Sequence, residues 1–408
     1  MLPKSSPETI ETRIESLAAG GDGVGRTPDG RALFVPLTAP RDRVRVRIVD
    51  SRRRFARGVL EAVLEPSPDR VEPACAVFGR CGGCAWQHLD YAAQLSAKAR
   101  ILRDALTRIG RLEVGEEICV TPSPSAYGYR SRARPVQVGT AVGFRMRGSR
   151  RVCAVDACPV LQPAVEAALR RLVAEATSAK SRSAQGIEQE VEWELAAGTD
   201  GETRTTRVPA ASRSTQPRES IHLTVVGDHL RISSGVFAQA NALLLGKLAD
   251  AVCREAGRGT TAVELFAGAG LLTLPLSRRF DCLWAIESDP RAIADLRFNL
   301  EVAGRQNVDV RRGRVERVLD RLGLHSPDAL VLDPPRTGLP EPAFDSLLRI
   351  RPRRVVYLSC DPATLSRDLA RLCDDGYRLA KIEAFDLFPQ TPHVEALATL
   401  VPTHGEAA

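Results

Sequence analysis

A chain of 408 residues with 44% hydrophobic and 26% charged side chains has room for two or three domains, each with its own core. No run approaches about 20 uninterrupted apolar residues, so no membrane partner is expected, and "MLPKSSPETIETRIE" lacks the apolar centre of a secretory signal. The net charge of +7 is carried by grouped arginines, in "SRRRFARG" (51–58), "YRSRARP" (129–135), "FRMRGSRR" (144–151), "RRGRVER" (311–317) and "RIRPRR" (349–354). Such stripes suit a phosphate backbone, with plain solvated surface as the alternative. The expected setting is cytoplasmic, where ten cysteines point to metal or catalysis rather than disulfides.

The first 65 residues read as a small β unit. "RVRVRIVD" (43–50) alternates arginine with valine or isoleucine, which gives a strand one basic face, and glycines at 20, 21, 23, 25 and 30 punctuate the strands around it. Residues 66–235 are of mixed composition. "YAAQLSAKARILRDALTRIG" predicts a helix over 91–110, with Leu95, Ile101, Leu102, Leu106 and Ile109 at helical spacing. "CAVFGRCGGCAWQH" places Cys75, Cys81 and Cys84 in C-x5-C-x2-C spacing; with a distant fourth ligand these suit either zinc or an iron–sulfur cluster. The stretch 178–218, rich in Ser, Thr, Arg and Glu, reads as a mobile insertion without a catalytic role. Cys119, Cys253, Cys282 and Cys373 lie in apolar or helical surroundings and read as core.

From residue 236 to 408, the short apolar runs "TAVELF", "CLWAIE", "NVDVRR", "ALVLD" and "RVVYLS" alternate with helical stretches, which implies a parallel sheet covered on both faces. "VELFAGAGLLTLPLS" (263–277) runs strand, glycine turn, helix, and Gly268 and Gly270 leave space for a backbone to approach a ligand. Glu287 ends the next strand about 20 residues on, where an acid can accept ribose hydroxyls. The turn lacks the third glycine of a dinucleotide fingerprint and resembles motif I of class I S-adenosylmethionine-dependent methyltransferases. Cys360 follows "VVYLS" directly, at the carboxyl end of a strand, where open α/β sheets place ligands. By position alone it is as readily a buried, inert thiol as a reactive one.

"DPPRTG" (333–338), "YLSCDPATLSRD" (357–368) and "LFPQTPHVE" (387–395), together with the glycine turn, resemble the RNA uracil-5-methyltransferases, in particular the branch with a TRAM domain and an iron–sulfur cluster. "LAAGGDGVGRTPDGRALFVPLTAPRDRV" resembles the TRAM domain itself, an OB-like barrel that binds RNA. The resemblance covers nearly the whole chain apart from 178–218. It implies an α/β class I (Rossmann-like) methyltransferase domain at 236–408, an N-terminal OB-like β-barrel (TRAM) at 1–65 and a mixed central domain at 66–235 holding a [4Fe–4S] cluster.

The resemblance also assigns roles. Cys360 would be the nucleophile that adds to uracil C6, and Glu395 the base that later removes the C5 proton. Gln239, Phe266, Gly268, Gly270, Glu287 and Asp333 would form the S-adenosylmethionine site, and Cys75, Cys81, Cys84 and Cys158 would hold the cluster, with Cys153 as the local rival for the fourth place. His88 reads as structural or RNA-facing. The expected product is 5-methyluridine in 23S rRNA, with tRNA as the second choice, made by a monomer. A non-catalytic RNA-binding protein and a DNA cytosine-5 methyltransferase are the rival readings. The chain departs from the family pattern at Arg41 (usually glycine), Leu271 (often Asn), Arg314 (often acidic or amide) and Asp361 (usually Asn), and "YRSRA" replaces "YRNKA". Asp361 beside the thiol would raise its pKa unless it points away or pairs with an arginine such as Arg336.

Overall fold

The alternation in "RVRVRIVD" builds the centre of the first sheet. A computed structural model describes residues 8–115, 118–179, 190–208 and 219–403. Its first sheet contains β1 (Thr9–Arg13), β2 (Ser16–Leu17), β3 (Gly23–Arg26), β4 (Ala32–Val35), β5 (Arg43–Ser51) and β6 (Phe55–Glu65), in the order β1-β5-β6-β4-β3-β2. Val44 and Val46 of β5 point into a core with Ile14, Leu33 and Val35. The arginines of β5 face outward, as expected, but they are not free cations. Arg43 pairs with Glu65 at 2.9 Å and Glu11 at 3.2 Å, Arg45 with Glu11 at 3.1 Å and Arg47 with Glu61 at 3.1 Å. The basic face predicted for this strand is thus neutralised by glutamates on β1 and β6. Arg41, which stands where the family has glycine, adopts φ 76°, a conformation that costs an L-residue energy and glycine nothing.

Asp90 caps α1 (Tyr91–Arg108) by accepting from Ala93 N at 2.7 Å. Its buried face runs through Gln94, Lys98, Ile101, Leu102, Ala105 and Leu106, while Ile109, predicted for the apolar face, lies just past the helix and is exposed. The short β7 (Val120–Thr121) follows. The central sheet is built from β8 (Arg132–Ala133), β9 (Val136–Val138), β10 (Ala141–Arg145) and β11 (Val152–Ala154), backed by α2 (Pro163–Ala179), with β12 (Glu190–Ala197) and β13 (Thr203–Arg207). Its order is β11-β10-β9-β12-β13, and β8 also pairs with β12.

This corrects the reading of 178–218 as a mobile insertion. The described part, 190–208, supplies a strand in the middle of the sheet, with Leu195 and Ala197 in its core. "VEWELAA" carries enough alternation for a strand, and the polar composition around it masks that pattern. Residues 180–189 and 209–218 of the predicted insertion lie outside the described residues. A hairpin of β14 (Ser220–Val225) and β15 (Asp228–Ser233) leads into the last region.

There α3 (Leu245–Ala256), β16 (Gly259–Leu265), α4 (Thr273–Leu276), β17 (Phe280–Glu287), α5 (Pro290–Val302), β18 (Val308–Arg312), α6 (Val315–Val318), β19 (Ala329–Leu332), α7 (Glu341–Ile350), β20 (Val355–Ser359), α8 (Pro362–Asp374), β21 (Tyr377–Phe385) and β22 (Glu395–Pro402) alternate. The sheet order is β18-β17-β16-β19-β20-β22-β21-β7. The five predicted strands are its parallel part, whereas β22 runs antiparallel to β20. Apolar cores lie on both faces. The order reverses between β16 and β19, and at such a switch point a crevice opens beyond the strand ends. Among the described residues no helix is long and apolar enough to cross a membrane.

Candidate active site and cysteine cavity

Strand register brings the catalytic candidates together. β20 is wholly buried and ends at Ser359, so Cys360 is the first residue beyond it. Ser359 pairs with Ala396 of antiparallel β22, which sets Glu395 beside Cys360. Leu332 pairs with Tyr357 of parallel β20, so Asp333 emerges at the same end. Asp361 then caps α8, its carboxylate accepting from Thr364 N at 2.9 Å, and Pro362 occupies the first helical turn. The cap orients the Asp361 carboxylate toward the helix, and it is not among the charges that shift the thiol. The second of the two outcomes foreseen for this residue, a pairing with Arg336, does not occur.

Burial pushes the Cys360 thiol up to about 11, with the charges of Glu395 and Asp333 adding to the rise and Arg336 opposing it. Glu395 is 1% exposed, and neither carboxyl oxygen has a hydrogen-bond partner among the described residues. Burial and the neighbouring Asp333 hold its pKa well above the carboxylate range. Asp333 keeps some exposed surface toward the crevice, yet its carboxyl is enclosed by protein, and burial raises it to about 7 while the Gln239 amide bonds to it. These acids compete for charge in one small volume, and Arg336 is the cation that faces them.

The cofactor candidates occupy the neighbouring strand ends. Gly268 has φ 57°, and a Cβ there would meet nothing within 4 Å, so the turn is open above it. Gly270 has φ 102°, a conformation that disfavours an L side chain, and a Cβ there would press on the tip of Leu296 at 2.8 Å. Phe266 adopts φ 63°, a strained conformation for an aromatic residue at the point where the strand turns into the loop. Glu287 accepts from Gly268 N at 2.9 Å and Asp289 N at 2.8 Å, which fixes the acid at the rim of the turn. Leu271, one of the departures, packs against the apolar core. Arg314 pairs with Glu316 at 2.6 Å.

The second set of candidates lines a cavity of about 350 Å³: Cys75, Cys81, Cys84 and Cys158, with Arg130, Arg336 and His393 in the same wall. Cys153 does not line it. Burial pushes Cys84 up to about 11, with Cys81 and Cys75 adding to the rise, and Cys158 to about 12, with Cys84, Cys75 and Cys81 adding to it. His88 is buried, lies 3.1 Å from Thr38 O through Nε2 and packs against Phe78, so it is structural and does not face RNA. Of the cysteines expected in the core, Cys253 is buried, Cys282 and Cys373 are half-buried, and Cys119 is exposed.

Sequence reasoning did not single out His393 and Glu264 for the site, and it named Arg336 only as a candidate partner of Asp361. Arg336 lies beside the Cys360 thiol and donates to His393, with Nη2 3.2 Å from Nε2; burial holds His393 down at about 4, so the imidazole is a neutral acceptor. Glu264, under the glycine turn, is 2% exposed and raised by burial to about 8. The available signals were charge placement inside "DPPRTG" and "TPHVE" and an acid within an apolar strand. "YRSRA" keeps a joining role: Ser131 Oγ donates to Ala240 O at 3.0 Å, and Arg132 pairs with Glu194 at 2.8 Å.

Comparison with known proteins agrees with this layout. The family described as tRNA (Uracil-5-)-methyltransferase matches residues 218–401, and the TRAM domain matches residues 7–60. An uncharacterised RNA methyltransferase of Nostoc sp. is 33% identical, over 97% of this chain and 96% of its own. The 23S rRNA (uracil(1939)-C(5))-methyltransferase RlmD of Chromohalobacter salexigens is 34% identical, over 95% of this chain and 88% of its own. The crystal structure of Pyrococcus abyssi tRNA (uracil-54, C5)-methyltransferase in complex with S-adenosyl-L-homocysteine superposes with a TM-score of 0.76 at 26% identity, covering 96% of this chain and 100% of that one. The chain belongs to the family of TRAM-containing RNA (uracil-5-)-methyltransferases.

Proposed function

We propose that this protein methylates C5 of uridine in RNA, with S-adenosylmethionine as donor and 23S rRNA as the target, through a covalent bond between Cys360 and C6. The observation that carries the reading is the convergence of one thiol, two enclosed carboxyls and one guanidinium at the strand ends beside an open glycine turn. The 34% identity to an enzyme named for 23S rRNA supports the ribosomal target over tRNA.

Uracil C5 is a weak nucleophile. Addition of the Cys360 sulfur to C6 moves the C5–C6 electron pair onto C5, and the thiol proton passes to solvent before the S–C6 bond forms. Arg336 is the positive charge that favours this ionisation. S-adenosylmethionine, when bound, supplies a methyl group on a sulfonium, and Glu287, Gly268 and Gly270 provide its seat. Glu395 then takes the C5 proton, the C5–C6 double bond re-forms and the S–C6 bond breaks. A carboxylate whose acid is weakened by burial is a stronger base, and both Glu395 oxygens are free of competing donors.

The donor set of the cavity fits a [4Fe–4S] cluster held by Cys75, Cys81, Cys84 and Cys158. No three of these sulfurs lie within 4.8 Å of one another. A single tetrahedral zinc with Zn–S of about 2.3 Å would hold them roughly 3.8 Å apart. A bound cluster would cross-link 75–84 to 158; the methyl transfer calls for no redox step. Anaerobically purified protein should be brown, Cys158→Ser should lose the colour and Cys153→Ser should keep it. A colourless protein with stoichiometric zinc overturns the assignment.

Substitution separates the two catalytic roles. Cys360→Ala should form no adduct and no product, while Glu395→Gln should accumulate a methylated protein–RNA adduct visible on a denaturing gel. A folded Glu395→Gln protein that binds both substrates and forms no labelled adduct removes Glu395 as the base. Mass mapping of 5-methyluridine in a deletion strain identifies the target, and its loss from tRNA alone would exclude 23S rRNA.

A further inference from the structure

A second basic site lies at the carboxyl ends of the same parallel strands, at the far edge of the sheet. A pocket of about 650 Å³ beside the edge strand β18 is lined by Arg311, Arg312, Arg314, Arg317 and Arg321, with Trp284 in its wall. The local sequence dictates this clustering. In "RRGRVERVLDRL", Val315 and Leu319 are buried and anchor α6 and the 3-10 turn Leu319–Arg321 on the sheet, which leaves Arg314, Arg317 and Arg321 on the exposed side. Arg311 and Arg312 end β18 next to them. Arg311 is held over the Trp284 ring at 4.8 Å and pairs with Asp309 at 2.7 Å, and Arg314 pairs with Glu316. Arg312, Arg317 and Arg321 have no acidic partner among the described residues.

The cofactor does not supply the counter-charge, because S-adenosylmethionine is a net cation, its one carboxylate outweighed by an ammonium and a sulfonium. Unpaired guanidinium groups gathered in a concave surface repel one another and are neutralised by an external polyanion. We infer that this pocket binds the phosphodiester backbone of the RNA substrate at nucleotides flanking the target uridine. It stands four strand positions from β20, about 19 Å at the usual strand spacing. A single-stranded flank leaving the crevice along the strand ends passes over it. The inference rests on the proposed RNA substrate and adds a contact beyond the barrel and the crevice, whose rim it adjoins at Ser288 and Gly313.

The test uses the full chain with Arg312→Ala, Arg317→Ala and Arg321→Ala combined, beside the corresponding triple lysine variant. The alanine protein should bind RNA more weakly, and its log K against log salt slope should flatten by about 2, as expected for three lost single-strand phosphate contacts. S-adenosylmethionine affinity and melting temperature should match the wild type, and the lysine protein should retain the slope. An unchanged RNA slope in the alanine protein overturns the inference. So does an unchanged RNA affinity with loss of pyrophosphate binding, which would assign the pocket to a small phosphorylated ligand. Failure of the underlying reading is seen separately, as wild-type protein that makes no 5-methyluridine.

Discussion

At the scale of single residues, the charge balance around Cys360 governs reactivity. Burial, Glu395 and Asp333 all raise its pKa, and Arg336 alone lowers it, with a net value of about 11. The thiolate is the reactive form and lies below this pKa in low abundance, on the order of one molecule in ~10⁴ at pH 7. Because the pKa is raised, thiolate increases as pH rises. Iodoacetamide labelling of Cys360, followed by peptide mass spectrometry on the RNA-free protein, should therefore accelerate about tenfold per pH unit between 7 and 10. Arg336→Met removes the lowering charge and should slow labelling further at each pH. A rate independent of pH would mean that the sulfur is already ionised and that Arg336 outweighs burial.

The segment between β21 and β22 carries His393 and leads into Glu395, the first residue of β22, and it is held from outside its own sheet. Lys98 of α1, fully buried, donates to Asp386 and to Phe388 O at 3.0 Å. Gln94, one turn earlier, donates to Gln390 Oε1 at 3.0 Å and accepts from Gln390 N at 2.9 Å. Gln390 itself has φ 68°, Ala85 N and Trp86 N both donate to its carbonyl, and Tyr129 donates to Pro389 O at 2.9 Å. The cysteine-bearing loop is thus bolted to the segment that leads into Glu395, the proposed base. Lys98→Met leaves the Asp386 carboxylate buried without its cation and should cost about 3–5 kcal/mol in denaturant unfolding. Lys98→Met with Asp386→Asn should recover part of this. At temperatures where both proteins are folded, the single variant should lose kcat with little change in KM for S-adenosylmethionine, since Gly268 and Glu287 lie at the ends of other strands. An equal loss in both parameters would show a general defect rather than a displaced base.

Across the whole molecule, affinity for a polyanion depends on which arginines remain free. Those of β5 are tied to Glu11, Glu61 and Glu65, whereas Arg53 and Arg54, in the turn between β5 and β6, carry no ion pair among the described residues. Replacing Arg43, Arg45 and Arg47 by alanine should leave the salt slope of RNA binding nearly unchanged, because paired charges release few counterions. Replacing Arg53 and Arg54 should flatten it by roughly 1.4–1.8. The reverse result would mean that the β5 ion pairs open on RNA and that the strand itself is the grip.

The sequence by itself determined what short-range rules encode. Alternation placed Val44 and Val46 inside, helical spacing placed α1, the glycines built an open turn, and a cysteine directly after a buried strand, followed by a cap and a proline, marked a strand-end thiol whose role position alone left open. Each depends on residues within one or two turns. Only the tertiary structure decided which charges meet. Gln94 and Gln390 are 296 residues apart in the chain. Strand register alone set Glu395 against Cys360, drew Arg336 and His393 into a wall shared with the cysteine cavity, and matched the β5 arginines to glutamates. The strand at 190–197 carries its own alternation, but its place in the sheet was set by partners in β8, β9 and β13 that come from both sides of it in sequence. Ion pairing and burial depend on distance and dielectric, which are properties of the folded arrangement, and no local pattern of residues carries them.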